Sequence, residues 1–176
     1  AIYQQIALHP KFASVDLSHV RNWGCGGAPL PDVLVETYKA RGVRVCNGMG
    51  MTETGPTAFL VESERAWDKI GTVGKPQILT SVRIVDADGG DVADGETGEL
   101  LFAGPNITPG YWNKPDETAK AFHDGVWLKS GDLARRDADG DYFIVGRSKD
   151  MYISGGSNVY PAEVENVLAE HPDILE

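Results

Sequence analysis

At 176 residues, 41% hydrophobic and 9% aromatic, the chain has ordinary globular composition and enough apolar residues for a buried core. Its length allows one domain, or one domain plus part of another. Sixteen basic residues against 26 acidic ones leave a net charge of −10, which argues against a nucleic-acid partner and against adsorption to anionic membranes, since both need clustered Lys and Arg. The opening residues, AIYQQIALHP, read as the middle of a helix. Over residues 29–41 the apolar positions Leu30, Val33, Leu34 and Tyr38 recur at helical spacing, with Pro31 suited to the first turn and Gly42 placed as the stop. Residues 43–46 predict a short buried strand leading into a glycine-rich loop, residues 47–56. A helix, a strand and a glycine loop in succession point to an α/β layer.

After Lys69 the character changes. Val82-Arg83-Ile84-Val85 alternates, the turn cluster 86–90 follows, and residues 98–103, 126–128 and 142–145 read as strands split by Gly and Asp turns. Asp139-Gly140 is a good hairpin dipeptide. The expectation is α/β over residues 1–68, then a β-rich, barrel-like region over 69–148. Residues 84–113 hold Asp86, Asp88, Asp91, Asp94, Glu96 and Glu99 with no Lys or Arg, a pattern that predicts solvated turns. The last segment, 149–176, reads as a strand at 151–154, the pair Gly155-Gly156, and a helix opened by Pro161. Glu163 and Glu165 favour the positive end of that helix, and Val164, Val167 and Leu168 supply its apolar face. Both termini read as cuts in a longer chain. Cys25 and Cys46 fit no CxxC-type motif, so reduced thiols in a cytoplasmic protein are expected, and no apolar run is long enough for a membrane span.

Asn47-Gly48-Met49-Gly50-Met51-Thr52-Glu53-Thr54-Gly55 is the strongest motif. Its glycines let the backbone approach a ligand closely and expose N–H groups. Thr52 offers a hydroxyl to a phosphate oxygen, and Glu53 a hard carboxylate suited to Mg²⁺. A glycine-rich turn with a capping Thr-x-Thr explains the same residues, and the loop alone leaves both readings open. Asp86-Ala87-Asp88-Gly89-Gly90-Asp91 and Asp137-Ala138-Asp139-Gly140-Asp141 suggest calcium loops superficially. Neither has Gly at the sixth position or Glu at the twelfth, so both are read as turns. His9, His19, His123 and His171 fall at no ligand spacing.

Other segments accompany the loop in order: Gly26-Gly27-Ala28-Pro29, Gly98-Glu99-Leu100, Gly110-Tyr111-Trp112-Asn113, Ser130-Gly131-Asp132-Leu133, Gly146-Arg147-Ser148-Lys149-Asp150, and Gly155-Gly156 through Pro161 and Glu163. The ordered set resembles the superfamily of adenylate-forming enzymes, which joins acyl-CoA synthetases, adenylation domains and luciferases, and it does so over essentially the whole chain. The resemblance implies the C-terminal part of a large AMP-binding domain, α/β plus β-barrel, followed by the start of a small mobile α+β domain. By it, Gly26, Gly27 and Ala28 would line the adenine side, with Asn47, Gly48, Met49, Gly50, Met51 and Ile144 also against ATP or AMP. Thr52 would bond the α-phosphate, Glu53 would hold Mg²⁺, and Asp132 and Arg147 would take the ribose hydroxyls. Lys149 would be the hinge, and Gly155-Gly156 would face the CoA channel. The plainer alternatives are a strand-ending turn for Asp132, a surface ion pair for Arg147 and a hairpin turn for Gly155-Gly156.

Met49 departs from the aromatic ring usual at its position; a polarizable thioether can still pack on a ring system. The family's phosphate loop and terminal catalytic lysine are expected upstream of Ala1 and beyond Glu176. The implied function is an acid–CoA ligase using ATP, Mg²⁺, CoA and a small carboxylic acid. Its rivals are an adenylation enzyme loading a carrier protein, a luciferase-like oxygenase, and a non-catalytic fragment that binds nucleotide without performing the chemistry.

Overall fold

The computed structural model describes residues 2–28, 30–171 and 173–174. Pro29, part of the predicted glycine segment and of the predicted helix start, lies outside the described residues. The chain opens with α1 (Ile2–Ala7), then β1 (Trp23–Cys25), α2 (Asp32–Lys39), β2 (Val45–Met51) and β3 (Gly55–Leu60). The helix α2 starts after Pro31 and is closed as expected: Gly42 has φ +72°, its N–H bonds the Lys39 carbonyl at 2.8 Å, and the Val43 N–H returns to Tyr38 at 3.1 Å. Its buried face is Val35 and Tyr38, with Leu30 and Leu34 partly buried, while Val33, expected inward, is 44% exposed. Phe12, Tyr38, Val43 and Val45 form a first core against which Tyr3 and Trp23 stack.

β4 (Lys75–Pro76) completes a sheet of order β1-β2-β3-β4, in which only β1 and β2 run parallel. The second sheet takes β5 (Ser81–Val85), β6 (Gly98–Ala103), β7 (Phe122–His123), β8 (Trp127–Arg136) and β9 (Tyr142–Arg147), with α3 (Pro115–Ala121) leading into β7. β8 is the spine, pairing β6 on one side and both β7 and β9 on the other. The two sheets meet at a bridge between Gly74 and Tyr142, with bonds of 2.9 Å from Tyr142 N–H to Gly74 and from Val73 N–H to Tyr142. The expected barrel-like region is thus an open half-barrel. One core crosses the join, built on Phe59, Ile84, Leu100, Phe102, Leu128 and Tyr142.

The acidic residues from Asp86 to Glu96 lie between β5 and β6, as expected, whereas Glu99 lies within β6; Asp91 and Asp94 stay exposed while pairing with Arg83 and Arg136. The strand expected at 126–128 runs on to Arg136. β10 (Tyr152–Ser154) and β11 (Ser157–Val159) form an antiparallel hairpin, and α4 (Pro161–Ala169) ends the described elements. Val164, Val167 and Leu168, expected to supply the apolar face, are 44%, 67% and 48% exposed.

Candidate functional site

The parallel pair β1–β2 sets the site. Cys25 lies opposite Asn47, so the segment leaving β1 runs beside the middle of β2. A Cβ at Gly26 would stand 2.9 Å from the Gly48 carbonyl, and one at Gly48 would stand 2.9 Å from the Phe59 carbonyl. At Gly50 it would reach 2.5 Å from the Pro56 carbonyl. These glycines are a packing requirement as well as an opening. They also explain a correction: residues 47–51 are not loop but the continuation of β2, paired with β3, and only residues 52–54 turn. Open α/β sheets bind ligands outside the carboxyl ends of their strands, and Gly26, Gly27 and Ala28 lie there, all exposed. A cavity of about 360 Å³ at the opposite end of the pair, lined by Arg21, Trp23, Gly42 and Val43 among others, has no part in this arrangement.

Within the motif, Asn47 is structurally engaged. Its Nδ2 donates to the Thr72 carbonyl at 3.2 Å and its Oδ1 accepts from the Cys25 thiol at 3.4 Å. Met49 pairs with Phe59 and packs against the larger core. Thr54, not Thr52, is the capping threonine: it is 1% exposed and its Oγ1 accepts the Met51 N–H at 3.0 Å. The Thr52 side chain is exposed and makes no hydrogen bond among the described residues. The Glu53 carbonyl accepts the Thr108 N–H at 2.7 Å, and its carboxylate Oε1 accepts the Tyr111 hydroxyl at 3.0 Å. That hydrogen bond, with lesser burial, pushes the Tyr111 phenol above its ordinary range. Glu53 fits a hard cation, because one carboxylate oxygen is fixed by Tyr111 and the other takes no hydrogen bond among the described residues.

Asp132 is not in a strand-ending turn. It lies within β8, just after Gly131 at φ +72°, where the pairing with β6 breaks register in a bulge. Bulges of this kind re-aim a side chain, and glycine is the residue that accepts the positive φ. The Ser130 hydroxyl secures the bulge by donating to the Leu100 carbonyl at 2.7 Å and accepting the Asp132 N–H at 2.9 Å. Arg147, directly across on β9, places Nε 2.8 Å from Asp132 Oδ1. Ile144 pairs with Ala134 and packs partly buried on the core. Lys149 is exposed in the turn after β9, and Gly155 and Gly156, at φ +60° and +86°, form the two-residue turn of the β10–β11 hairpin.

Asp132 is 5% exposed, and burial raises its pKa despite the nearby Arg147. A carboxyl whose folded pKa exceeds its unfolded value binds its proton more tightly in the folded state. Stability from this group is therefore full below the unfolded pKa and falls as pH rises through the folded one. Asp132→Asn should melt close to wild type near pH 3 and progressively above it as pH rises toward neutrality. Thermal scans across pH 3–7 check this; a melting difference that stays constant with pH contradicts it.

The hairpin residues Asp137, Asp139 and Asp141 cluster closely enough to suggest a cation site. Their cation is Lys69, whose Nζ stands 2.6 Å from both Asp137 and Asp139, with Arg65 2.6 Å from Asp141. Lys69 donates to Asp137 and then Asp139, and these hydrogen bonds raise its pKa; the segment lies in the turn between β8 and β9.

The structure thus assembles two groups, one around Gly26, Gly48 and Glu53 and one around Asp132 and Arg147. Sequence reasoning missed the roles of Asn106, Thr108 and Tyr111 in bracing the motif turn; the segment Gly110-Tyr111-Trp112-Asn113 was the available signal.

The model of the AMP-binding enzyme family matches residues 1–112. A feruloyl-CoA synthase of Amycolatopsis sp is 46% identical over 173 residues, covering 98% of this chain and 35% of that protein. The crystal structure of the anthranilate CoA ligase AuaEII in complex with anthranoyl-AMP superposes with TM-score 0.89 at 32% identity, over 99% of this chain and 33% of that one. The o-succinylbenzoate CoA synthetase of Bacillus subtilis in complex with ATP and magnesium ion gives TM-score 0.78 at 38% identity, over 86% of this chain and 31% of that one. This chain belongs to the AMP-binding enzyme family. It spans about a third of the length of the curated relatives it matches.

Proposed function

We propose that this chain is part of an ATP-dependent acid–CoA ligase. Carboxylic acid, ATP and CoA would give acyl-CoA, AMP and pyrophosphate through an acyl-adenylate. The observation that carries the reading is the meeting of Gly26 and Gly48 beside a braced Thr52-Glu53 turn, at the carboxyl side of two parallel strands. The family and the CoA-ligase relatives support the same reading.

In it, Gly26, Gly27, Ala28, residues 47–51 and Ile144 receive the adenine nucleotide. Asp132 and Arg147 take the ribose hydroxyls, since a carboxylate can accept from both members of a diol. A carboxylate oxygen of the acid attacks the α-phosphorus as the bond to pyrophosphate breaks. Both reactants are anionic, so the chain's work is to position them and offset charge. The Thr52 hydroxyl donates to an α-phosphate oxygen, and Glu53 holds Mg²⁺. When bound, Mg²⁺ supplies neutralisation of phosphate charge. The CoA thiol then attacks the acyl carbonyl and AMP leaves, with Gly155 and Gly156 beside the thiol's path.

Lys149, exposed in a turn between sheet and hairpin, is the hinge of this scheme. Residues 1–68 and 69–148 belong to the large domain and 149–176 to the small mobile one. A cytoplasmic setting accords with two free cysteines; no helix of the described residues is long and apolar enough to cross a membrane.

The test is acid-dependent ATP–pyrophosphate exchange by the full-length ligase over a panel of aryl and fatty acids, followed by acyl transfer to free CoA or to a pantetheinylated carrier. Exchange with transfer to free CoA is expected. Transfer to the carrier alone points to a loading enzyme instead, and absence of exchange with every acid sinks both.

A further inference from the structure

One segment, residues 104–111, makes three hydrogen bonds to the turn that follows β2. Asn106 Nδ2 donates to the Thr54 carbonyl at 2.9 Å, Thr108 N–H to the Glu53 carbonyl at 2.7 Å, and Tyr111 hydroxyl to Glu53 Oε1 at 3.0 Å. The first two fix the turn's backbone. The third fixes a side chain that would otherwise rotate, because a glutamate has free torsions up to its carboxylate.

The segment is itself secured. Thr108 Oγ1 accepts the Gly110 N–H at 3.2 Å, and the Tyr111 N–H donates to Thr118 Oγ1 at 2.9 Å on α3, while Thr118 donates to the Lys114 carbonyl at 2.9 Å. Gly110, at φ +141°, leaves no room for a Cβ beside Thr118. Tyr111 is 41% exposed, so its ring contributes little to any core and its hydroxyl is the part in use.

We infer that Tyr111 is a positioning residue for the adenylation step, holding the Glu53 carboxylate in its cation-binding orientation. The inference rests on the metal role given to Glu53 above. It acts through Glu53 and touches no reacting atom. Residues that orient a metal ligand in this way commonly change metal affinity by 10–100-fold when removed.

The experiment uses the full-length ligase. Tyr111→Phe should raise the Mg²⁺ concentration that half-saturates adenylation by about tenfold, the low end of that range because the site is part-exposed. AMP affinity and melting temperature should not move. In a Glu53→Gln background the same change should add nothing, since the acceptor's charge is already gone. No shift from Tyr111→Phe, or an equal shift in both backgrounds, overturns the inference. Thr118→Val, which releases the Tyr111 backbone, should move Mg²⁺ dependence in the same direction. Should Tyr111→Phe fail to fold, an unchanged Mg²⁺ dependence in Thr118→Val overturns the inference on its own. If Glu53→Gln itself leaves Mg²⁺ dependence unaltered, the metal role falls and this inference with it. If Glu53→Gln shifts it and Tyr111→Phe does not, only the inference falls.

Discussion

On the proposed ligase chemistry, replacing Glu53 by Gln in the full-length protein should cut Mg-ATP-dependent adenylation by roughly a hundredfold or more, while AMP affinity changes little. The size follows from the cation that Glu53 is proposed to hold against the charge of the transition state, where one lost contact costs on the order of 10²–10³ in kcat. The contrast with AMP follows from the chemistry: a monophosphate lacks the triphosphate charge that calls for a divalent cation. Gln keeps the shape of Glu53 and an oxygen to accept the Tyr111 hydroxyl, and the turn is held by backbone bonds from Thr108 and Asn106 that the change leaves intact. Folding should therefore survive, and a melting scan verifies that. Pyrophosphate exchange and AMP titration measure the two losses separately; equal losses on both would refute the metal role.

The second large effect is on stability. Gly74 sits at φ +80° in the bridge joining the two sheets, and a Cβ there would overlap the Leu60 carbonyl. Gly74→Ala combines a left-handed backbone with a clash against main chain that cannot rotate away. Strain of each kind costs about 1–3 kcal/mol, so a loss of roughly 2–6 kcal/mol is expected. At this chain length that corresponds to a melting drop of roughly 4–24 °C. Gly95→Ala is the matched control: φ is +89°, but no atom lies within 4 Å of its Cβ. It should cost only about 1–2 kcal/mol. Similar losses for both variants would mean the clash at the join is relieved and the bridge carries no special weight.

These two residues show what the sequence could and could not disclose. Gly42, Asp139-Gly140 and the bounds of β6 were legible because local rules set them: a positive-φ stop, a hairpin dipeptide, an apolar run between glycines. The opening signals of α3, Pro115 with Asp116 and Glu117, are equally local. Glycine also misled. In residues 47–56 and at Gly131 it looked like punctuation, yet at Gly48 and Gly50 it admits a neighbouring strand, and at Gly131 it makes a bulge inside β8. Close approach and register are properties of partners distant in sequence, so no local pattern encodes them. Thr52, Glu53, Asp132 and Arg147, to which the proposed function gives chemical roles, could be named from motif order. That Glu53 is gripped by a tyrosine 58 positions away could not.

Phe59, on the first sheet, meets Phe102 at 5.7 Å and Tyr142 at 5.0 Å between ring centroids, both on the second. Edge-to-face and tilted ring contacts of this kind depend on the shapes of all the partners at once. Recombination between relatives would feel that dependence. A crossover anywhere between Leu60 and Leu101 hands the three rings to different parents, whereas a crossover after Arg147 keeps them together. Natural or designed chimeras of this family should therefore tolerate exchange of the terminal hairpin and helix far better than exchange of the two sheets.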